Sequence, residues 1–214
     1  MSISVLITGF GPFPGAPYNP TGPLVKRLSL RRRPALAETE RHAHVFCTSY
    51  AAVDAELPRL IARHAPDVLL LFGLAARTPY LRVETQARNA VSALVPDAGR
   101  TMRRIRNIRP GATATIAGRA PFQRLVGAAR TARVPVRLSR NAGSYLCNYL
   151  YWRGIEAHAS RRCTLVVFVH VPLVGRVPHR HSRKRRLTLD DLARAGEAIL
   201  LALVSAAGQS PDRR

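Results

Sequence analysis

Two uninterrupted apolar runs limit the folds open to this chain. Val68-Leu69-Leu70-Leu71-Phe72, closed by Gly73, has no polar residue to turn toward water on either side. The segment from Cys163 to Val171, which carries His170, is of the same kind. Strands like these are buried on both faces, as happens when helices cover both sides of a largely parallel sheet. Strand-like and helix-like segments alternate along the rest of the chain, so an α/β class with crossover connections follows. The expected fold is a single three-layer α/β/α domain over residues 1–214, with a mostly parallel twisted sheet and a tail at about 208–214. At 214 residues the chain can bury a substantial core, and no repeat, low-complexity stretch or linker divides it.

Charge is the second constraint, and it can mislead. The formal net charge is +22, yet Lys26 and Lys184 are the only lysines. Abundant arginine and alanine with almost no lysine is what a GC-rich coding bias leaves behind, with no binding function required. The basic residues are dispersed, at Arg31–Arg33, Arg103/Arg104/Arg106, Arg161/Arg162 and Arg180–Arg186, in a chain poor in aromatics. No helix-turn-helix, zinc-finger or RRM signature accompanies them. Non-specific affinity for polyanions is the expectation from charge alone. No apolar run has the length of a membrane span, and residues 1–9 read as a first strand, not as a signal peptide. Three cysteines, Cys47, Cys147 and Cys163, are odd in number and lack metal-ligand spacing, which suits a reducing cytoplasm.

In chain order, a strand over Ser4–Phe10 runs into the loop Gly9-Phe10-Gly11-Pro12-Phe13-Pro14-Gly15. The glycine spacing is not that of a phosphate loop, and two prolines remove amide donors. Phe10 and Phe13 either form an apolar slot at the carboxyl end of a strand or plug the core. Helices are expected over Gly22–Leu30, Asp54–His64, Pro121–Ala132, Ser144–Ala159 and Leu187–Ala206. Further strands are expected over His42–Tyr50, Asp67–Gly73, Tyr80–Ala90 and Val134–Ser139. Between Ser92 and Arg119 regular signals fade, as in a flap or a contact region.

Chemistry concentrates on three residues. Cys147 falls in the first turn of a helix, just past the Asn141-Ala142-Gly143 turn. Unpaired N–H groups and the positive helix end favour a thiolate there, so Cys147 is a candidate nucleophile; the bland alternative is a small buried hydrophobe. His170 ends an apolar strand just before Val171-Pro172, while the other six histidines lie in polar or loop surroundings. It is either a base for a thiol or a core histidine bonded to the backbone. Glu84 is a mid-strand carboxylate, which needs a partner. Arg82 or Arg88 would be the structural partner and His170 the functional one.

These contexts resemble the pyroglutamyl peptidase I (pyrrolidone-carboxylate peptidase) family, over nearly the whole chain. Thr8-Gly9-Phe10, Pro12-Phe13, Gly15 and Asn19-Pro20 look like its opening loop. Gly73-Leu74-Ala75 with Glu84, Ala87 and Asn89, then Pro96-Asp97, resembles its glutamate motif. Ala142-Gly143 with Leu146-Cys147-Asn148 and Tyr151 is similar to its cysteine motif, and Phe168-Val169-His170-Val171-Pro172 to its histidine motif. The resemblance implies a cysteine exopeptidase that takes N-terminal pyroglutamate from peptides, with Cys147 as nucleophile, His170 as base and then acid, and Glu84 orienting His170. It implies Phe10, Phe13 and Leu74 at the substrate, no cofactor and no metal, and it leaves a homo-oligomer open. Departures are present too. Leu94 stands where the family has an arginine, Thr85 replaces a basic residue after the glutamate, Arg77 is shifted by one, and Arg82 and Arg88 replace smaller or apolar residues. These motivate a second expectation: a diverged, weakly active or inactive member whose basic surface binds an acidic partner or nucleic acid.

Overall fold

Alternation along the central strands decides the layers. In β1 (Ile3–Phe10), Val5 and Ile7 face one side and Leu6 the other; β3 (Val68–Leu74) and β8 (Leu165–Val171) divide in the same way. The first side packs against α1 (Thr21–Ser29), α3 (Phe122–Thr131) and α5 (Leu189–Gly208), the second against α2 (Tyr50–His64) and α4 (Leu146–His158). Helices therefore cover both faces, as the apolar runs require. This computed structural model describes residues 2–13, 15–93, 96–100, 102, 106–158, 165–175 and 186–209. Leu94, Cys163 and nearly all of the basic 176–186 loop lie outside the described residues.

The main sheet has six strands in the order β2-β1-β3-β8-β4-β7, with β2 spanning Thr39–Phe46, β4 Leu81–Glu84 and β7 Val136–Ser139. Strands β2, β1, β3 and β8 are mutually parallel; β4 pairs antiparallel with β8 and parallel with β7. A second, two-stranded sheet joins β5 (Gln86–Arg88) to β6 (Thr115–Ala117).

The expected mostly parallel sheet is present, with local differences of register and length. The strand expected over Tyr80–Ala90 is broken at Thr85, whose N–H bonds to Ser139 O (2.7 Å) while its carbonyl accepts from Gly118 N (2.9 Å). Thr85 is thus the hinge at which the chain leaves one sheet for the other. The strand expected over His42–Tyr50 begins and ends earlier, because buried Tyr50 starts α2. Asp97 enters there from a distance: its Oδ2 accepts the Tyr50 N–H at 3.0 Å and caps α2. Arg133 takes a left-handed φ of 56° after α3, so β7 starts at Val136. Residues 92–119 are otherwise irregular where they are described.

The loop after β1 is pinned by buried side chains. Thr21 Oγ1 accepts from Phe10 N (3.0 Å) and lies 2.9 Å from Phe10 O. Asn19 Oδ1 accepts from Thr21 N (3.1 Å), and Asn19 Nδ2 donates to Gly11 O (3.1 Å). Replacing Thr21 by valine keeps the shape and leaves the buried Phe10 N–H without its acceptor. Thr21→Val is expected to lower stability by about 1–3 kcal/mol; an unchanged urea midpoint would refute this account of the loop.

Candidate active site

Sheet pairing assembles the site. In β4, Arg82 and Glu84 are two apart and share a face, while Val83 turns to the other. Opposite them on β8, Arg82 pairs with His170 and Glu84 with Phe168. The four side chains Arg82, Glu84, Phe168 and His170 therefore come to one face. It is the face that α4 covers, and Phe168 packs with Tyr151 of that helix (ring centroids 5.7 Å apart).

Cys147 is the second residue of α4. A Cβ placed on Gly73 would lie 2.6 Å from Cys147 Sγ and 2.6 Å from Phe168 Cζ. Gly73 therefore leaves the space that the sulfur and the ring share. In the sheet Gly73 is the register partner of His170. The sulfur thus sits over the strand next to His170, at the carboxyl end of the parallel strands, where open α/β sheets place their chemistry.

His170 and Glu84 are buried, and His170 Nδ1 lies 2.8 Å from Glu84 Oε1. A carboxylate accepts only, so Nδ1 carries the proton and Nε2 keeps its lone pair. Arg82 Nε lies 3.0 Å from the same Oε1, and Arg82 Nη2 lies 3.2 Å from His170 Nδ1. The two partners considered for Glu84 are therefore not alternatives: it holds both. Burial alone pushes the Glu84 carboxyl up, but hydrogen bonds from His170 and Ser139, with the charge of Arg82, hold it below its usual range. Burial lowers the His170 pKa, Glu84 opposes that, and Arg82 adds to it, so the ring is neutral at rest.

The sulfur differs from the sequence expectation. Burial pushes the Cys147 thiol up to about 12, and the Glu84 charge adds to the push. Arg82 and the backbone N–H groups of Cys147 and Leu74 pull it down without prevailing. The helix start is there, but desolvation outweighs it, and the resting pair is thiol and neutral imidazole. Leu74 is half-buried and reaches the sulfur through its amide. Phe13 is half-buried in a turn that it closes with Ala16 (2.8 and 3.2 Å). Phe10 is 3% exposed and packs on Phe46, which places its ring in the core.

Other motif residues serve placement. Asn148 is fully buried; its Oδ1 accepts from Arg88 N (2.8 Å), and its Nδ2 donates to Arg88 O (2.7 Å) and Ala90 O (3.1 Å). Tyr151 Oη donates to the Glu84 carbonyl at 2.8 Å. Asn89 brackets Arg109, its Oδ1 accepting from Arg109 N (2.9 Å) and its Nδ2 donating to Arg109 O (2.8 Å). Arg82 was legible in the sequence as a partner for Glu84, but its approach to His170 and to the Asn141 carbonyl appears only in the fold. Among the described residues, no three His, Cys, Asp or Glu side chains gather in a way that could hold a metal ion.

A cysteine at a helix start beside a histidine that a buried carboxylate orients is the arrangement of cysteine hydrolases. The pyroglutamyl peptidase family model matches residues 3–206. A pyrrolidone-carboxylate peptidase of Bacillus subtilis is 30% identical over 217 residues, covering 99% of this chain and 96% of its own. One from Thermococcus onnurineus is 32% identical over 173 residues, 80% of this chain and 84% of its own. The crystal structure of pyroglutamyl peptidase I from Bacillus amyloliquefaciens superposes with a TM-score of 0.82 at 26% identity, covering 98% of this chain and 97% of that one. The chain belongs to the pyroglutamyl peptidase family.

Gly73 gives the site its most local test. Gly73→Ala forces the new methyl into the sulfur and the Phe168 ring, and a loss of about 1–3 kcal/mol is expected from such overpacking. Denaturant unfolding measures it; a neutral substitution would show that Cys147 does not depend on that space.

Proposed function

We propose that this protein is a cysteine exopeptidase that hydrolyses the pyroglutamyl residue from the N-terminus of peptides, with Cys147 as nucleophile, His170 as base and then acid, and Glu84 as the group that orients His170. The observation that carries the reading is the 2.8 Å contact between Glu84 Oε1 and His170 Nδ1, beside the strand over which Cys147 Sγ sits. The family match across residues 3–206 supports reading the chain as one working domain. Cys47 and Cys147 are free thiols, which suits a reducing cytoplasm. No helix among the described residues is long and apolar enough to cross a membrane.

The chemistry starts from the neutral pair. As Sγ attacks the carbonyl carbon of the pyroglutamyl residue, its proton passes to His170 Nε2, and Glu84 stabilises the imidazolium that forms. The Cys147 backbone N–H, at the helix start, is placed to donate to the developing oxyanion. His170 returns the proton to the departing amine, and the C–N bond breaks to leave a thioester. Water then attacks the thioester, its proton going to His170, and the thiol is regenerated as pyroglutamate leaves. Proton transfer during attack removes the need for a standing thiolate, which the raised thiol pKa disfavours. Phe13 and Leu74 are the proposed side chains for the flat, uncharged lactam ring; Phe10 supports that loop from inside the core.

Turnover of a pyroglutamyl-aminocoumarin substrate by the wild type, and none by a folded Cys147→Ser variant, is the expected result. No turnover by a folded wild type would refute the proposal and favour the diverged binding-protein reading. Glu84→Gln is expected to lower kcat/KM on the order of 10²–10⁴-fold, since the amide can also present a donor to Nδ1 and lose the tautomer. Because Glu84 raises the His170 pKa, its removal also moves the acid limb of kcat/KM to lower pH. An unmoved limb would show that Glu84 does not act on His170.

A further inference from the structure

Arg82 lies close to three groups of this site at once. Its Nε is 3.0 Å from Glu84 Oε1, and its Nη2 is 3.2 Å from His170 Nδ1 and 3.4 Å from the Asn141 carbonyl, in the loop that leads to Cys147. The side chain is 25% exposed, so it keeps some contact with water while it reaches the buried pair. A second arginine meets the same loop: Arg88 Nη1 is 3.4 Å from Asn141 Oδ1, which also accepts from Gly143 N at 3.0 Å. We propose that Arg82 is a positioning residue of this peptidase, a fixed positive charge shared by Glu84, His170 and the Asn141 turn that sets the pH range in which the Cys147–His170 pair works. The inference rests on the peptidase reading for its catalytic consequence, though not for its effect on the sulfur.

The geometry sets the sign. Guanidinium has donors only, and Nδ1 already gives its single proton to Glu84, so Arg82 cannot bond the ring as a partner. It acts on His170 as a neighbouring positive charge, which disfavours imidazolium and keeps Nε2 free to accept a proton. The same charge favours thiolate at Cys147, and both effects carry the expected sign. The other titratable groups of the site among the described residues are the Glu84 carboxylate on β4, the Cys147 thiol on α4, the Tyr151 hydroxyl bonded to the Glu84 carbonyl, and the Tyr145 hydroxyl, whose pKa burial and the Asp97 and Cys147 charges raise. Gly73 of β3 and Phe168 of β8 bring no charge. Glu84 raises both the histidine and the cysteine values, and Arg82 lowers both. The two β4 residues therefore pull the working range in opposite directions.

The test pairs Arg82→Gln with Arg82→Lys, and Arg82→Thr serves as a second uncharged variant should glutamine impair folding. Losing the charge is expected to move the acid limb of kcat/KM on the pyroglutamyl-aminocoumarin substrate up by about one pH unit. The same loss should slow iodoacetamide alkylation of Cys147 at a fixed, mildly alkaline pH by roughly threefold, a tenfold smaller thiolate fraction being partly offset by a more nucleophilic sulfur. Mass spectrometry of the Cys147 peptide reads alkylation without turnover, so it judges Arg82 even if the peptidase reading fails. Arg82→Lys must stay near the wild-type values in both measurements. An acid limb that stays or moves down in the uncharged variants, unchanged alkylation, or a lysine variant that behaves like them would each overturn the proposal.

Discussion

The buried carboxylate of Glu84 is the constraint to which the rest of the site answers. A lone carboxylate with no access to water would bear a large desolvation penalty, and it would take a proton before bearing it. Here the charge is kept because two groups converge on Oε1, the Nδ1–H of His170 and the guanidinium of Arg82. Once that charge is fixed, the histidine tautomer is fixed with it. Removing one partner of such a buried set costs more than the set contributes as a whole, because the group left behind remains desolvated.

Backbone register makes this convergence repeatable. Antiparallel pairing of β4 with β8 sets Arg82 opposite His170 and Glu84 opposite Phe168, so one face receives all four. Parallel pairing of β3 with β8 puts Gly73 beside His170, and the missing side chain at 73 admits the sulfur. A slip of one residue in either ladder would turn these groups to the opposite layer. The large apolar residues on the same strands, from Val68 to Phe72 and from Val166 to Val169, hold the register by burying both faces. Core packing and the geometry of the candidate site are thus set by the same alternation.

Polar residues beside Glu84, Cys147 and His170 serve the same end by other means. Asn148 ties α4 to the backbone at Arg88 and Ala90, and Tyr151 ties it to the Glu84 carbonyl. The helix that carries Cys147 is thereby bonded to the chain that carries Glu84. Asp97 caps α2 through the Tyr50 N–H, and the Tyr145 hydroxyl bonds to Pro96 O at 2.9 Å, which draws the downstream loop toward the start of α4. Much of what makes the local motifs recognisable is this bracing.

The sequence by itself determined the layers and the mostly parallel sheet, and it singled out Glu84, Cys147 and His170, which the fold brings to one site. Apolar runs, helical spacing and the isolation of Glu84 and His170 among apolar neighbours are local properties, and a strand or helix start can be read from them. Where β4 ends was not readable, because Thr85 is turned by bonds to Ser139 and Gly118, which are distant in the chain. The protonation state of Cys147 was not readable either: the helix start argues for thiolate, and only the packed surroundings show that desolvation prevails. Phe10 could have faced substrate or core, and tertiary packing on Phe46 put it in the core. Above all, the sequence offered Arg82 and His170 as alternative partners for Glu84. The fold chose both, because cross-strand pairing brings together side chains 88 positions apart in the chain.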